Sequence, residues 1–309
     1  MKKLISTAII LSFILSVKAQ NTLPKVVHGK IKRIENFESK YITSRHVDIW
    51  MPEGYSQSKK YAVLYMHDGQ MLFDPESSWN KQAWNIDDAA SKLFQSNKLK
   101  EFIVVGIWNG GETRHSDYFP QEPFKYLSTS QKDTINAQLK RSHVPIKKTF
   151  NPQSNNYLKF VVEELKPYID KTYSVYSNKE NTFVMGSSMG GLISMYAICE
   201  YPKIFGGAAC LSTHWTGTFT LDNNPMPGAF IKYLNKNLPN PKNHKIYFDC
   251  GDETLDKLYP EIQKEVDQLM VKKGYNENNW LTKFFPGENH SENAWSKRLN
   301  IPLVFLFKK

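Results

Sequence analysis

Thr182-Phe183-Val184-Met185-Gly186-Ser187-Ser188-Met189-Gly190-Gly191-Leu192-Ile193 is the most informative stretch of this chain. A β-rich run leads straight into Gly-x-Ser-x-Gly, and Leu192, Ile193, Met195 and Tyr196 follow at helical spacing. A serine pinched between a strand and a helix must take a sharp, strained turn. Glycines two residues before and two after it let the backbone cross closely and hold the hydroxyl up over the sheet. The helix also aims its N-terminus at negative charge developing there. Ser188 is therefore the candidate nucleophile.

On either side of this turn, short apolar runs alternate with segments of helical period. Residues 62–66, 103–107, 182–185, 207–211, 245–248 and 281–285 read as successive buried strands, and 25–34 with 41–51 as an antiparallel edge pair. Tyr157, Leu158, Val161, Val162, Leu165 and Ile169 mark one helix, and Leu258, Ile262, Val266 and Met270 another. Ile86, Ala89, Ala90 and Leu93 mark a third, with Asp87 and Asp88 favourable in its first turn. The alternation predicts an α/β class protein: a mostly parallel central sheet with helices on both faces, formed by one domain over residues 20–309. The connection from Trp108 to Asn156 is far longer than the usual βα link of about 2–6 residues. Its insertion, about residues 110–155, carries Tyr118, Phe119, Phe124 and Tyr126 and is expected to shape a binding site.

The chain begins Met1-Lys2-Lys3, continues with an apolar run over residues 4–17, and reaches Val17-Lys18-Ala19. This pattern predicts a signal peptide over residues 1–19, cut after Ala19, and hence an exported, periplasmic or secreted protein. No later run is long and apolar enough to span a bilayer. The formal charge of +10 includes three lysines in that leader. The remaining basic residues are scattered, which fits a solvated surface and no nucleic-acid module. Cys199, Cys210 and Cys250 are too few, and odd in number, for a disulfide framework; buried free thiols are expected.

A serine hydroxyl needs a base. Of the eight histidines only His290 follows the last predicted strand, in Phe285-Pro286-Gly287-Glu288-Asn289-His290-Ser291, where a loop can swing the ring toward Ser188. The acid must come from Asp249-Cys250-Gly251-Asp252-Glu253-Thr254-Leu255-Asp256, where four carboxylates compete. Asp256 is the first choice and Glu253 the second, although Asp256 also sits where it would cap a helix. Two backbone N–H groups are needed for an oxyanion. Met189 supplies one, directly after the nucleophile, and Gln70 of His67-Asp68-Gly69-Gln70 is the candidate for the other.

Tyr65-Met66-His67-Asp68-Gly69-Gln70, Ile107-Trp108-Asn109 with Arg114 and Tyr118-Phe119-Pro120, the serine turn, and the stretch from Phe284 to Glu292 together resemble the putative-esterase (esterase D-like) family of α/β hydrolases. That family includes feruloyl and acetyl xylan esterases, siderophore esterases, S-formylglutathione hydrolase and mycolyl transferases. The resemblance implies the α/β-hydrolase fold and ester hydrolysis or acyl transfer through an acyl-serine, without metal or organic cofactor. It carries over to Ser188, His290, Met189 and Gln70. Many relatives have an acid where this chain has Thr254; a subset with Leu-Asp slightly later supports Asp256.

Export argues against a cytoplasmic glutathione ester, so a carbohydrate-linked acyl ester is the first expectation and a siderophore ester an alternative. Trp108, Arg114, Tyr118, His214 and Trp215 lie at or beyond predicted strand ends, where open α/β sheets bind ligands. Trp and Tyr suit stacking, and Arg114 suits a carboxylate. An acyltransferase would share the triad. A non-catalytic ligand-binding module is disfavoured, because nucleophile and base are both present in order.

Overall fold

The computed structural model describes residues 22–146 and 148–309, so the signal peptide expected over residues 1–19 lies outside the described residues. Eight strands form one sheet: β1 Lys30–Phe37, β2 Arg45–Met51, β3 Ala62–His67, β4 Phe102–Ile107, β5 Thr182–Ser187, β6 Gly207–Leu211, β7 Lys245–Cys250 and β8 Trp280–Phe284. Their spatial order is β1-β2-β4-β3-β5-β6-β7-β8. β2 runs antiparallel to both β1 and β4, and every other neighbouring pair is parallel. This is the mostly parallel sheet of the α/β-hydrolase fold. The first strand begins later than residues 25–34 suggest. The amides of Lys25 and Val27 are held by the carboxylates of Asp74 and Asp87, at 2.9 and 2.7 Å, which draws that segment off the sheet.

Buried strands with both faces covered read as continuous apolar runs, and here period two splits each run between two cores. Val63, Tyr65, Val184, Ala208 and Cys210 face one core, while Leu64, Met66, Met185, Ala209 and Leu211 face the other. The helix Met189–Glu200 is buried along all but its last residue, so its sequence is apolar all round rather than amphipathic. The three predicted helices are present at Ile86–Phe94, Pro260–Lys272 and Ser154–Thr172, the last with a π-helical middle at Phe160–Leu165. The long insertion is folded. It contains helices Arg114–Tyr118, Gln121–Lys125 and Thr129–Arg141, the last opened by a capping box between Ser128 and Gln131. Its Phe119, Phe124 and Phe150 pack edge to face and anchor it to the sheet's first core. All three cysteines are free and buried. Among the described residues no helix is long and apolar enough to cross a membrane.

The glycines of the serine turn are required by contact. A Cβ on Gly186 would stand 2.6 Å from the Gly190 carbonyl carbon, a backbone atom that cannot yield. Gly186→Ala is expected to destabilise the protein by about 1–3 kcal/mol, the usual cost of overpacking. Urea unfolding measures this, and an unchanged midpoint contradicts it.

Candidate active site

β5 delivers Ser188 at its carboxyl end. The residue has φ 57° and ψ −122°, a conformation costing on the order of 1–3 kcal/mol for a side chain with a Cβ. Three hydrogen bonds over-determine it: its amide donates to the Leu211 carbonyl at 2.9 Å, and its carbonyl accepts from the amides of Leu192 and His214. Met189, as the first residue of its helix, has an amide with no intrahelical acceptor.

His290 reaches the same place from the loop after β8. Its amide donates to Thr254 Oγ1 at 2.9 Å, so Thr254 holds the histidine loop. Its Nδ1 pairs with Asp256 Oδ1 at 2.5 Å. Asp256 is wholly buried, and its other oxygen accepts from Ser212 Oγ at 2.6 Å and the Gly251 amide at 2.7 Å. Two of the three competing carboxylates are engaged elsewhere, and Glu253 is exposed. Asp249 pairs with Arg298 at 2.8 Å, and Asp252 accepts the Gly287 amide. Asp256 does not cap a helix, for the cap of Pro260–Lys272 is Tyr259.

Burial alone pushes the Asp256 carboxyl up, but the hydrogen bond and charge of His290, with the bonds from Ser212 and Gly251, outweigh it and hold the group below its ordinary value. A carboxyl with a lowered folded pKa stabilises the fold above its unfolded value, and that contribution fades as pH falls through the folded one. The melting-temperature gap between wild type and Asp256→Asn should therefore narrow on acidification through that range. A gap constant with pH contradicts an ionised Asp256.

Ser188, Met189, His290 and Arg114 line one cavity of about 570 Å³, within the range of small-molecule sites. Trp84, Phe219, Leu255 and Trp295 give it apolar walls. Arg114 is present, but Asp68 takes its guanidinium in a two-point pair at 2.7 and 2.8 Å, and Asn109 adds a bond at 2.7 Å. Burial raises the Asp68 carboxyl, yet Arg114 and Asn109 together hold it below its ordinary value. The expectation that Arg114 awaits a substrate carboxylate is thereby corrected: its charge is already matched inside the protein.

Three further expectations change. Tyr118 is fully buried, its hydroxyl accepting the Asp68 amide at 3.2 Å. Trp215 is also fully buried, with its indole donating to Gln263 at 2.8 Å and packing on Phe248. Trp108 lines a neighbouring cleft rather than this cavity, and the Gln70 side chain is turned to the same cleft, its Oε1 accepting the Asn109 amide at 3.2 Å. Gly69 beside Gln70 is fixed by close approach, since a Cβ there would meet the Gly106 backbone at 2.6 Å.

Sequence reading missed Ser212 and Tyr259. Ser212, one residue past β6, orients Asp256 and itself accepts from Trp295 Nε1 at 2.9 Å and Arg298 at 3.1 Å. Tyr259 presents its hydroxyl to the Ser188 side chain and to His214 Nδ1, the latter at 2.7 Å. Burial, with His115, His290 and Arg114 nearby, lowers the His214 pKa far enough to keep that ring neutral. Among the described residues no cluster of three or more His, Cys, Asp or Glu is placed to hold a metal ion.

The putative-esterase family model matches residues 40–305 of this chain. The uncharacterized protein YbbA of Bacillus subtilis is 24% identical over 274 residues, covering 86% of this chain and 94% of its own. An endo-1,4-beta-xylanase/feruloyl esterase of Xylanibacter ruminicola is 24% identical over 290 residues, covering 91% of this chain but 32% of that larger protein. Among solved structures, a ferulic acid esterase superposes with a TM-score of 0.62 at 18% identity, covering 90% of this chain and 98% of its own. The enterobactin esterase of Shigella flexneri superposes at 0.64 with 17% identity, over 92% of this chain and 60% of that one. A match over most of the chain, on an eight-stranded sheet of this order, makes the protein a member of the putative-esterase family, a carboxylic ester hydrolase of the α/β-hydrolase fold.

Proposed function

We propose that this protein is an exported serine esterase that cleaves an acyl ester, carbohydrate-linked in its natural form, through Ser188, His290 and Asp256. The observation that carries the reading is the 2.5 Å His290–Asp256 pair in the cavity that also exposes Ser188. In this mechanism His290 takes the Ser188 proton as the hydroxyl attacks the ester carbonyl, and Asp256 keeps the imidazole in the correct tautomer and stabilises the imidazolium. The amides of Met189 and Gln70 receive the oxyanion. Collapse expels the alcohol, protonated by His290, and leaves an acyl-serine. Water, deprotonated by the same histidine, then releases the acid. Ser212 acts through Asp256 as a positioning residue.

The carbohydrate assignment draws on the leader sequence and on the feruloyl-type esterases among the similar proteins. The enterobactin esterase keeps a siderophore ester as the second reading. Hydrolysis of p-nitrophenyl acetate and methyl ferulate by the mature protein tests the reading, with products assayed as free acid or as ester transferred to a sugar. Turnover to free acid supports a hydrolase, and transfer makes the protein an acyltransferase. Inertness together with resistance to a fluorophosphonate overturns the catalytic reading and leaves a ligand-binding module.

A further inference from the structure

An ester has two ends, and both must lie somewhere when its carbonyl sits at Ser188. The catalytic cavity, walled by Trp84, Phe219, Leu255 and Trp295, suits an apolar acyl group. Beside it opens a cleft of about 630 Å³, and the two share Trp79 and Asn109 as common wall. The cleft is of different character. Thr43, Ser44, Ser77, Ser78 and Asn36 offer hydroxyl and amide groups, and its charges are matched: Arg45 pairs with Asp117 at 3.1 Å, and Lys81 with Glu76 at 3.4 Å. Burial and the nearby Arg33 lower the His46 pKa, so its imidazole adds no charge.

Two indoles border this cleft, and only one has an open face. Trp108 is covered by the Arg33 guanidinium at 4.6 Å, meets His46 edge to face, and is pinned by its N–H to Asp48 at 2.8 Å. Trp79 is 81% exposed, an unusual state for the largest apolar side chain. It stands on a held segment rather than a free one. Asp74 caps the turn Pro75–Ser77 just before it, and the neighbouring Asn80 donates to Glu292 at 2.8 Å.

We propose that this cleft binds the alcohol side of the ester as a neutral glycosyl unit, with Trp79 as its stacking platform. An indole face matches the C–H face of a sugar ring, and uncharged donors and acceptors match its hydroxyls. Matched charges disfavour an anionic alcohol. This rests on the serine-esterase reading for its orientation, with the acyl group in the apolar cavity and the sugar across Trp79.

The test compares Trp79→Ala with wild type on methyl ferulate, which lacks a sugar, and on a feruloylated neutral arabinoxylo-oligosaccharide. The preference for the oligosaccharide, as a ratio of kcat/KM values, should fall about tenfold in the variant. Calorimetry with Ser188→Ala and the intact oligosaccharide should show binding that is lost in Ser188→Ala/Trp79→Ala and largely kept with Trp79→Phe. Ser44→Trp, which fills the cleft without touching the Ser188 cavity, should reduce the same preference. An unchanged ratio with unchanged binding overturns the proposal while leaving the esterase reading intact. Wild type inert on both esters and resistant to a fluorophosphonate overturns the esterase reading; calorimetry then still decides whether Trp79 holds a sugar.

Discussion

Ser188→Ala and His290→Ala are each expected to lower kcat on p-nitrophenyl acetate by about 10⁵- to 10⁶-fold, and the double variant to lose little more. Nucleophile and base act as one unit, so once either is removed the other has nothing left to do. What remains comes from binding and from the Met189 amide, which neither substitution touches. Ser188→Ala should keep the wild-type stability to within about 1 kcal/mol, because Ser188 is a strained residue at the surface of the cavity. A Ser188→Ala variant retaining a tenth of the activity would mean that another group attacks the ester. Losses that simply multiply in the double variant would mean that His290 acts on some step apart from Ser188.

Asp256→Asn carries the second large expectation, a fall in kcat of about 10⁴-fold. The hydrogen-bond pattern gives the reason. Oδ2 of Asp256 faces two donors, the Ser212 hydroxyl and the Gly251 amide, so an asparagine must turn its carbonyl oxygen to that side. Its NH₂ then faces His290 Nδ1 and donates to it. This fixes the proton on Nε2, the nitrogen that should accept from Ser188, and the base is disabled without loss of a contact. Glu253→Gln and Asp252→Asn should stay within severalfold of wild type, since neither carboxylate meets His290 among the described residues. Parallel kinetics on the three variants check this. A larger loss in Glu253→Gln than in Asp256→Asn would contradict the pairing.

The outcome separates what local chemistry dictates from what tertiary paths decide. The serine turn was readable because Gly186 and Gly190 must pack backbone against backbone, and only glycine permits that. His290 was readable from its place after the last strand. Asp256 was the first choice among four carboxylates, and it is the one that pairs with His290: Asp249 lies in β7 and is consumed by Arg298, while Thr254 uses its hydroxyl to hold the histidine loop. Side-chain direction beyond a strand end was not readable. Trp215 follows β6 by a few residues, yet a tight turn through Thr213 sends its indole into the core toward Gln263. Tyr118 likewise supports the loop of Asp68 from beneath instead of meeting a ligand. Ser212 and Tyr259 carry no motif of their own; they matter only because folding sets their hydroxyls against Asp256 and Ser188. Trp79 was overlooked for a related reason, since its significance is an exposed face at the join of two cavities.

The central claim is that Ser188 is an activated nucleophile, and covalent labelling tests it most directly. The protein is treated with a fluorophosphonate, its intact mass is measured, and the modified peptide is mapped beside Ser188→Ala and His290→Ala. The account predicts one adduct per chain, on Ser188, rising in step with loss of esterase activity, absent in Ser188→Ala and greatly slowed in His290→Ala. An active enzyme that takes no label, or one labelled at another residue as activity falls, would contradict it.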